Sequence, residues 1–288
     1  MIIHGHCLRK IDKLEPNSIQ SVVTSPPYWA LRDYDEAGVC WEDGWTGCLG
    51  DEDTPEKFVS HLVEIFDKMK TCLRDDGTMW INIGDTYFGA KGGHWDSKNS
   101  LTNNQTGSEY RMSRKAPPKH EYLKVKDLVG IPWKFAFKMQ RKGWYLRQDI
   151  IWHKPNPMPE AVTDRCAKSH EHIFLFSKKK NYKFYPEAIK HRRYIDADQS
   201  HRKDVWSINT SSFKGSHFAV FPEKLPQLCI LASSDEGDII LDPFAGSGTT
   251  GLVASKLDRK YILIELNTKY LNIIKERLNT NQIGLFGG

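Results

Sequence analysis

The sequence predicts an α/β fold in which helices cover a mostly parallel sheet. Two observations predict it. An amphipathic helix at 55–74 lies between β-rich runs at 18–23 and 78–83, and a second strand–helix–strand succession occupies 239–265. Because a helix between two strands returns the chain to the same edge of the sheet, such units build parallel sheets. The chain has 288 residues, 39% hydrophobic and 27% charged, enough to bury the core of one large domain.

The composition excludes several classes of protein. The hydrophobic and charged fractions are those of a globular domain and exclude disordered, collagen-like and coiled-coil chains. No apolar run approaches the roughly 18–20 residues that a membrane span needs, and residues 1–6 lack the pattern of a signal peptide. None of the six cysteines forms a C-x-x-C pair. We therefore expect reduced thiols, no metal site and a cytoplasmic protein without a membrane partner.

The positive charge is concentrated in the middle third of the chain. Residues 1–90 hold 8 basic and 16 acidic side chains, residues 91–203 hold 25 and 11, and residues 204–288 hold 8 and 9. The modest total of +5 therefore contains a segment of +14. Such asymmetry predicts a polyanionic partner for that segment.

The first 90 residues predict a strand, a loop and a helix. The β-rich run is followed by Thr-Ser-Pro-Pro-Tyr-Trp at 24–29, and two prolines end any strand or helix. We therefore expect a loop at the carboxyl end of a strand, where open α/β sheets bind their ligands. Thr54 and Pro55 suit the start of the helix that follows.

The middle of the chain predicts one long loop and three regular elements. Residues 86–124 are rich in Gly, Asn, Ser, Lys and His without apolar periodicity, so we expect a mobile basic loop. Apolar spacing predicts a helix at 127–142 and strands at 145–152 and 172–176. Residues 178–203 carry 9 Lys or Arg against 3 acids.

The last 70 residues predict a nucleotide-binding strand–loop–helix–strand unit between helices at 222–232 and 267–278. A buried strand runs into a glycine-rich loop at 242–248, and Glu265 ends the next strand, 19 residues after Gly246. Glycines allow close backbone approach, a helix N-terminus offers free N–H groups, and the acid suits two ribose hydroxyls. The loop lacks the Gly-Lys-Ser/Thr of a P-loop. A nucleotide-like ligand is predicted, with a ligand-free tight turn as the alternative.

Three segments together resemble one enzyme family. Asp-Pro-Phe-Ala-Gly-Ser-Gly-Thr-Thr at 242–250 is similar to the S-adenosylmethionine loop, motif I, of amino-group DNA methyltransferases. The segment at 24–29 resembles their catalytic motif IV, and His-Phe-Ala-Val-Phe-Pro-Glu-Lys-Leu at 217–225 resembles motif X. The catalytic motif comes first, as in the permuted β group. The resemblance covers nearly the whole chain except 86–124 and parts of 178–212.

The resemblance implies a circularly permuted, Rossmann-like sheet that binds S-adenosylmethionine, with a small inserted DNA target-recognition region. The implied division is a catalytic half at 1–157, the recognition region at 158–212 and a cofactor half at 213–288. Asp242 and Phe244 would shape the methionine pocket, and Glu265 would hold the ribose. The implied cofactor-binding residues are Asp242, Pro243, Phe244, Gly246, Gly248, Thr249, Thr250, Glu265, Phe221 and Pro222. One departure is His6, where the family commonly has an acid near the adenine ring.

The loop at 24–29 is implied to present an amino group to the methyl donor. An exocyclic amino group on a base is a weak nucleophile because its lone pair is delocalised into the ring, and oxygen acceptors aimed at its N–H bonds counter this. Prolines fix carbonyl groups and add no N–H, the serine hydroxyl accepts a hydrogen, and the tyrosine ring stacks on an extruded base. Transfer is then a direct displacement without a covalent enzyme–base intermediate. The predicted catalytic residues are Ser25, Pro26, Pro27 and Tyr28.

The remaining predictions concern the DNA. In the family, Ser-Pro-Pro-Tyr usually accompanies methylation of cytosine N4, and Asp- or Asn-Pro-Pro-Tyr that of adenine N6. Ser25 therefore favours cytosine N4 and leaves adenine N6 as the alternative. Basic residues of 178–203, including Lys178, Lys190 and Arg202, suit phosphates. The predicted substrate contacts are Thr24, Trp29, Trp152, Lys154, Asn156, Arg192 and Arg193.

Other functions stay open at this point. A Pro-Pro-Tyr pocket suits any planar amino group, so methylation of RNA or of a protein glutamine is a more remote alternative, and an inactive DNA-binding relic is another. The expected partner is double-stranded DNA. A cognate restriction endonuclease is compatible with the sequence, and so is either a monomer or a homodimer.

Overall fold

The computed structural model describes residues 1–30, 38–89, 120–192, 199–200, 202–212 and 219–285. The strands of its central sheet are β1 Ile2–His4, β2 Ile19–Thr24, β3 Leu73–Ile83, β4 Tyr145–His153, β5 His170–Ser177, β6 Val205–Ser207, β7 Ile239–Asp242 and β8 Lys260–Glu265. The helices are α1 Cys7–Lys10, α2 Pro55–Lys68, α3 Ile131–Arg141, α4 Lys224–Ser233, α5 Thr249–Lys256 and α6 Thr268–Leu285. Short 3-10 turns occupy Ile11–Lys13 and Pro186–Ile189. Three two-residue ladders pair Val39–Cys40 with Thr46–Gly47, His191–Arg192 with Gln199–Ser200, and Ser211–Ser212 with Ala219–Val220.

The eight strands form one sheet in the order β1-β8-β7-β2-β3-β5-β4-β6. The first five of these run parallel, and β6 runs parallel to β4. Strand β5 runs antiparallel to both of its neighbours, β3 and β4. A parallel return from β4 to β5 would need a crossover connection, which is usually a helix. Residues 154–169, which join these two strands, contain no helix. The predicted α/β class is confirmed, and the sheet is mixed rather than wholly parallel.

Both faces of the sheet are buried. Val22 and Met79 point to the face covered by α2 and α3, whereas their neighbours Val23 and Trp80 point to the face covered by α4. Because successive side chains of a strand alternate between faces, every side chain of β2 is buried. Its apolar members pack into the two cores, and its polar members bond within the protein, as the Ser21 hydroxyl does with that of Thr78 at 3.2 Å.

Predicted boundaries move where capping and strand pairing prevail over apolar periodicity. The helix predicted at 55–74 ends at Lys68, and β3 begins at Leu73 rather than at 78. Helix α3 begins at Ile131 rather than at 127, because Gly130 precedes it with φ 78° and the Asp85 carboxylate accepts the N–H groups of both residues. Thr54 caps α2 as predicted, accepting the Lys57 N–H at 3.3 Å.

Part of the predicted recognition segment, 158–212, belongs to the central sheet, because it contains β5 and β6. Most of the predicted mobile loop, at 90–119, lies outside the described residues. The described start of that loop pairs with residues just beyond its end, since Tyr87 bridges to Leu128 and the Phe88 N–H donates to the Asp127 carbonyl at 2.8 Å. Every described helix is too short or too polar to cross a lipid bilayer.

Candidate active site

A cavity of about 380 Å³ opens at the carboxyl ends of the parallel strands. This is the edge at which the sequence predicted a ligand, and the volume lies within the range of roughly 300–1,000 Å³ typical of small-molecule sites. Two motifs that are more than 200 residues apart in the chain meet there. The segment 25–28 follows β2, the segment 242–247 begins at the last residue of β7, and parts of both line the cavity wall. We call the wall near 242–265 the cofactor end and the wall near 25–28 the base end.

The glycine loop of the cofactor end is held by Glu265. The Gly246 N–H donates to Oε2 of Glu265 at 2.7 Å, and the Asn267 N–H donates to Oε1 at 2.8 Å. Gly248 precedes α5 with φ 78°, and a Cβ at this position would lie 3.1 Å from Ile274. The loop therefore needs glycine at 248 both for its backbone conformation and for its close approach to α6.

The Glu265 carboxyl is buried against the cavity. Burial raises its pKa to about 7, although the N–H groups of Asn267 and Gly246 lower it. Both oxygens of this carboxylate have further lone pairs, and among the described residues no basic side chain lies within 4.0 Å of it. A ligand that brings hydroxyl donors or positive charge would favour the ionised form.

Asp242 is the second buried acid of the cofactor end. It is 4% exposed, and its Oδ1 accepts the Thr24 hydroxyl at 2.6 Å and the Phe244 N–H at 3.0 Å. Burial raises the pKa of Asp242 to about 6. Thr24, predicted to contact substrate, is fully buried, and its hydroxyl joins β2 to the cofactor loop instead of reaching the cavity. The hydrogen bond between Thr24 and Asp242 therefore links the two motifs directly.

The loop of the base end is clamped by backbone on two sides. A Cβ on Gly84 would lie 2.9 Å from the Tyr28 ring, and one on Gly50 would lie 3.2 Å from the Tyr28 carbonyl oxygen. The Tyr28 hydroxyl donates to Oε2 of Glu171 at 2.7 Å. Burial and the Glu171 charge raise the pKa of Tyr28 well above its usual value, so the phenol is a neutral donor. The four predicted catalytic residues, Ser25, Pro26, Pro27 and Tyr28, all line the cavity.

Glu171 is the centre of a hydrogen-bond network that the sequence analysis missed. Besides the Tyr28 hydroxyl, it accepts the Asn82 amide at 3.0 Å and the Lys154 ammonium. The Lys154 ammonium also lies 4.4 Å from the centre of the Trp152 ring. The signal available in the sequence was an acid two residues before the apolar run 173–176. Sequence order does not place that acid beside Tyr28, because β3 lies between β2 and β5 in the sheet.

The other predicted residues divide by location. Of the cofactor set, Pro243, Phe244, Thr249, Thr250 and Phe221 also line the cavity, whereas Gly248 and Pro222 do not. Of the substrate set, Trp152 and Lys154 line it. Arg193 lies outside the described residues, and Arg192 is described only as part of a two-residue ladder.

Two predicted substrate residues have structural partners instead. The Trp29 ring is 7% exposed, its Nε1 donates to the Glu52 carbonyl at 2.8 Å, and it stacks on Phe88. It does not border the cavity, because the chain turns after Tyr28 and directs this large apolar ring into the core. The Asn156 Oδ1 accepts the Thr210 N–H at 2.8 Å, which holds the cavity-lining Thr210 in place.

Three basic residues predicted to contact phosphates are engaged within the protein. Lys178 follows the far end of β5, where its ammonium contacts Asp75 at 3.0 Å and donates to the Leu73 carbonyl. Lys190 pairs with Glu187, and Arg202 Nε donates to the Ile189 carbonyl at 2.9 Å. For Lys178 the placement disagrees with the prediction, because β5 carries it to the edge of the sheet opposite the cavity.

His6, the departure from the family pattern, lines the cavity and caps α1. Its Nδ1 accepts the Leu8 N–H at 3.3 Å. Burial, with a smaller contribution from Arg9, lowers the pKa of His6 to about 4, so the ring is neutral at pH 7. The position therefore contributes a helix cap without a negative charge.

Comparison with known proteins agrees with this geometry. Residues 19–276 match the N6/N4 methyltransferase family, described as DNA methylase. The type II methyltransferase M.SmaI of Serratia marcescens is 46% identical over 278 residues, which cover 96% of this chain and 90% of that protein. The type II methyltransferase M.Cfr9I of Citrobacter freundii is 43% identical, with coverages of 96% and 87%.

Solved structures show the same fold at lower identity. The cytosine-N4-specific PvuII DNA methyltransferase superposes with a TM-score of 0.69 at 20% identity, over 100% of this chain and 93% of that one. The putative DNA modification methylase TTHA0409 of Thermus thermophilus, complexed with S-adenosylmethionine, gives 0.62 at 21% identity, with coverages of 97% and 95%. The family match and the relatives that are more than 40% identical show that the chain belongs to the N6/N4 family of DNA methylases.

Proposed function

We propose that the chain is the modification enzyme of a type II restriction–modification system and methylates the exocyclic N4 of cytosine in double-stranded DNA. The observation that carries the proposal is the meeting of Ser25–Tyr28 with the Asp242–Glu265 loop in one cavity. The target base would leave the helix and enter the base end, because an atom inside the duplex is out of reach.

The residues of the base end suit a neutral amino nucleophile. The Ser25 hydroxyl and the carbonyls of the Pro-Pro turn would accept the two amino hydrogens and counter delocalisation of the nitrogen lone pair. Prolines add no competing N–H, and the Tyr28 ring offers an apolar face to the base. S-adenosylmethionine supplies an electrophilic methyl group, so that a C–N bond forms as the C–S bond breaks and the amino group then loses a proton.

The residues of the cofactor end suit a cationic nucleoside. Glu265 would accept the ribose hydroxyls, and the buried Asp242 and Phe244 would border the methionine part. Gly246 and Gly248 give the ligand access to the backbone. Phe221, whose side chain lines the cavity, would cover the cofactor together with Pro222.

The choice of cytosine rests on Ser25. The first residue of the motif is serine, which in this family usually accompanies cytosine N4, and the PvuII enzyme of the same fold is cytosine-N4-specific. Adenine N6 is the second candidate, because the family includes both activities.

We propose residues 158–212 as the main DNA-recognition segment, between a catalytic half at 1–157 and a cofactor half at 213–288. This segment borders the cavity through Glu171 and Thr210, and Arg192 and Arg193 are its candidates for phosphate or base contact. Lys178 is omitted from the proposal because of its position. A cognate endonuclease would recognise the same DNA sequence.

The test is methylation in vitro followed by analysis of nucleosides. The purified chain is incubated with methyl-labelled S-adenosylmethionine and, separately, with plasmid DNA from a methylation-free host, RNA and a protein mixture. Mass spectrometry of the DNA nucleosides should find N4-methylcytosine, and sequencing then locates the methylated site. N6-methyladenine alone would establish the second candidate, label only in RNA or protein would contradict a DNA substrate, and cofactor binding without transfer would indicate an inactive relic.

A further inference from the structure

Among the residues that line the base end, one charged side chain has more N–H donors than the described part of the protein accepts. Tyr28 donates its hydroxyl to Glu171, and the Asn82 amide donates one hydrogen to Glu171 and the other to the His172 carbonyl at 3.2 Å. The Trp152 Nε1 donates to the Ile208 carbonyl at 2.8 Å, and the Thr210 hydroxyl donates to the Asn156 carbonyl. The donors of these four lining residues therefore point into the protein.

Lys154 differs from them. An ammonium has three N–H bonds, and within the described part of the chain Glu171 is the one acceptor at hydrogen-bond distance from it. Its side chain is 18% exposed and lines the cavity. The Trp152 ring, 4.4 Å from the ammonium, and the Glu171 carboxylate fix the position of the ammonium. Lys154 thus presents further donors toward the space that the base would occupy.

The two candidate bases differ at the edge beside the amino group. In cytosine, the ring nitrogen N3 and the carbonyl oxygen O2 follow the N4 amino group and both accept hydrogen bonds. In adenine, the ring nitrogen N1 follows the N6 amino group, but the next position is a C–H that accepts none. A charged donor next to the Ser25–Tyr28 loop therefore gains more from cytosine than from adenine.

We propose that Lys154, held by Glu171, donates to the N3–O2 edge of the extruded cytosine and so determines the choice of base. The inference rests on the proposed cytosine-N4 activity. Glu171 is a positioning residue here, because it acts through Lys154 and Tyr28. The Lys154–Glu171 pair is neutral overall, which suits an uncharged base better than an isolated ammonium would.

The test measures the preference of variants between two substrates. Duplexes carry the methylation site found by sequencing, with either cytosine or adenine at the target position, and kcat/KM is measured for each. The wild type should prefer cytosine. Lys154→Met should lower the cytosine-to-adenine ratio about tenfold, and Lys154→Arg, which keeps the charge, should retain most of it. Glu171→Gln should lower the ratio in the same direction, and adding Lys154→Met to it should lower it little further.

The matched control is Lys183→Met. Lys183 is also half-buried and paired with acids, contacting Asp235 at 2.7 Å and Asp238 at 3.1 Å, but it does not line the cavity. Its ratio should equal that of the wild type. Binding of S-adenosylmethionine shows that each variant is folded, and Lys154→Gln replaces Lys154→Met if the latter does not bind it.

The outcomes separate this inference from the proposed function. If the wild type forms no N4-methylcytosine, the proposed function fails and the inference with it. If the wild type methylates cytosine but every Lys154 variant loses the two activities in equal proportion, Lys154 is structural and only the inference is overturned.

Discussion

The two ends of the cavity are built in different ways. The cofactor end comes mostly from one continuous segment, 242–265, in which a strand, a loop, a helix and a strand follow one another. The base end is assembled from Ser25–Tyr28 after β2, Asn82 in β3, Trp152 and Lys154 near the end of β4, and Glu171 in β5. One end thus depends on local chain geometry and the other on the order of strands in the sheet.

The ends also differ in charge. Asp242 and Glu265 are buried acids, and no basic side chain of the described residues lies within 4.0 Å of either. At the base end, the acid Glu171 is paired with Lys154 and receives two neutral donors. A cationic cofactor completes an unpaired acidic site, whereas a neutral base suits a site whose charges are already balanced. The charge of each end therefore complements that of the ligand proposed for it.

The largest expected effect is a loss of methylation without a loss of cofactor binding, which would separate the functions of the two ends. The double variant Ser25→Ala plus Tyr28→Ala removes the hydroxyl acceptor and the ring of the base end, so the methylation rate should fall by at least about 10³-fold. Binding of S-adenosylmethionine should remain close to that of the wild type, because 242–265 is untouched. Label transfer to duplex DNA and cofactor titration by calorimetry measure the two quantities.

A matched double variant controls for loss of folding. Ser60→Ala plus Tyr145→Ala removes the same two side-chain types at positions outside the cavity, where Tyr145 is 44% exposed. It should keep its methylation rate. Full activity in the Ser25→Ala plus Tyr28→Ala variant would remove the base end from the proposed site.

The second prediction uses the unpaired acids of the cofactor end. Burial raises the pKa of Glu265 to about 7, and a cationic cofactor with ribose hydroxyls should bind the ionised form. Affinity for S-adenosylmethionine should therefore increase as the pH rises through 7, and the Kd at pH 6 should be about ten times that at pH 8. Asp242, with a pKa of about 6, adds a smaller change of the same sign.

The control for this pH dependence is Glu265→Gln. The variant should bind more weakly and lose most of the change between pH 6 and pH 8, because glutamine does not titrate. Any titration of the cofactor itself appears equally in both proteins and cancels in the comparison. A pH dependence that persists undiminished in Glu265→Gln would assign it to another group.

The third prediction concerns the local geometry on which the cofactor end depends. Gly248 and Gly237 both have positive φ, 78° and 82°, but a Cβ on Gly248 would lie 3.1 Å from Ile274, whereas one on Gly237 would have no neighbour within 4 Å. Gly237→Ala should lose about 1 kcal/mol from backbone strain alone. Gly248→Ala should lose roughly 1 kcal/mol more from crowding. Urea unfolding measures both, and equal losses would show that α6 shifts freely to accommodate the methyl group.

The same contrast explains what the sequence could predict. The contact between Gly246 and Glu265 could be predicted because their spacing within one strand–loop–helix–strand unit indicates their arrangement. Glu171 was missed because its contact with Tyr28 crosses 143 residues and depends on β5 entering the sheet antiparallel beside β3.

Trp29 shows the limit of extending a motif by proximity in sequence. It follows Tyr28 directly, but its ring turns into the core toward Phe88. Adjacent residues of a loop have no periodicity from which the direction of a side chain can be predicted. Lys178 shows the same limit on a larger scale, because a count of charges does not reveal to which end of a strand the lysine is carried.

The smallest expected effect is at His6, where this chain lacks the acid common in its family. His6→Asp keeps an acceptor for the Leu8 N–H, since aspartate is a good N-cap, and so preserves α1. A carboxylate here would stand near the already uncompensated Glu265, which offsets any attraction to a cationic cofactor. We therefore expect a change in the Kd for S-adenosylmethionine of less than about twofold, within 0.4 kcal/mol or so. His6→Ala, which loses the cap, should instead lower the free energy of unfolding by about 1 kcal/mol. Tenfold tighter binding by His6→Asp would show that the position acts through its charge, and that this chain has a weakened cofactor site rather than a different helix cap.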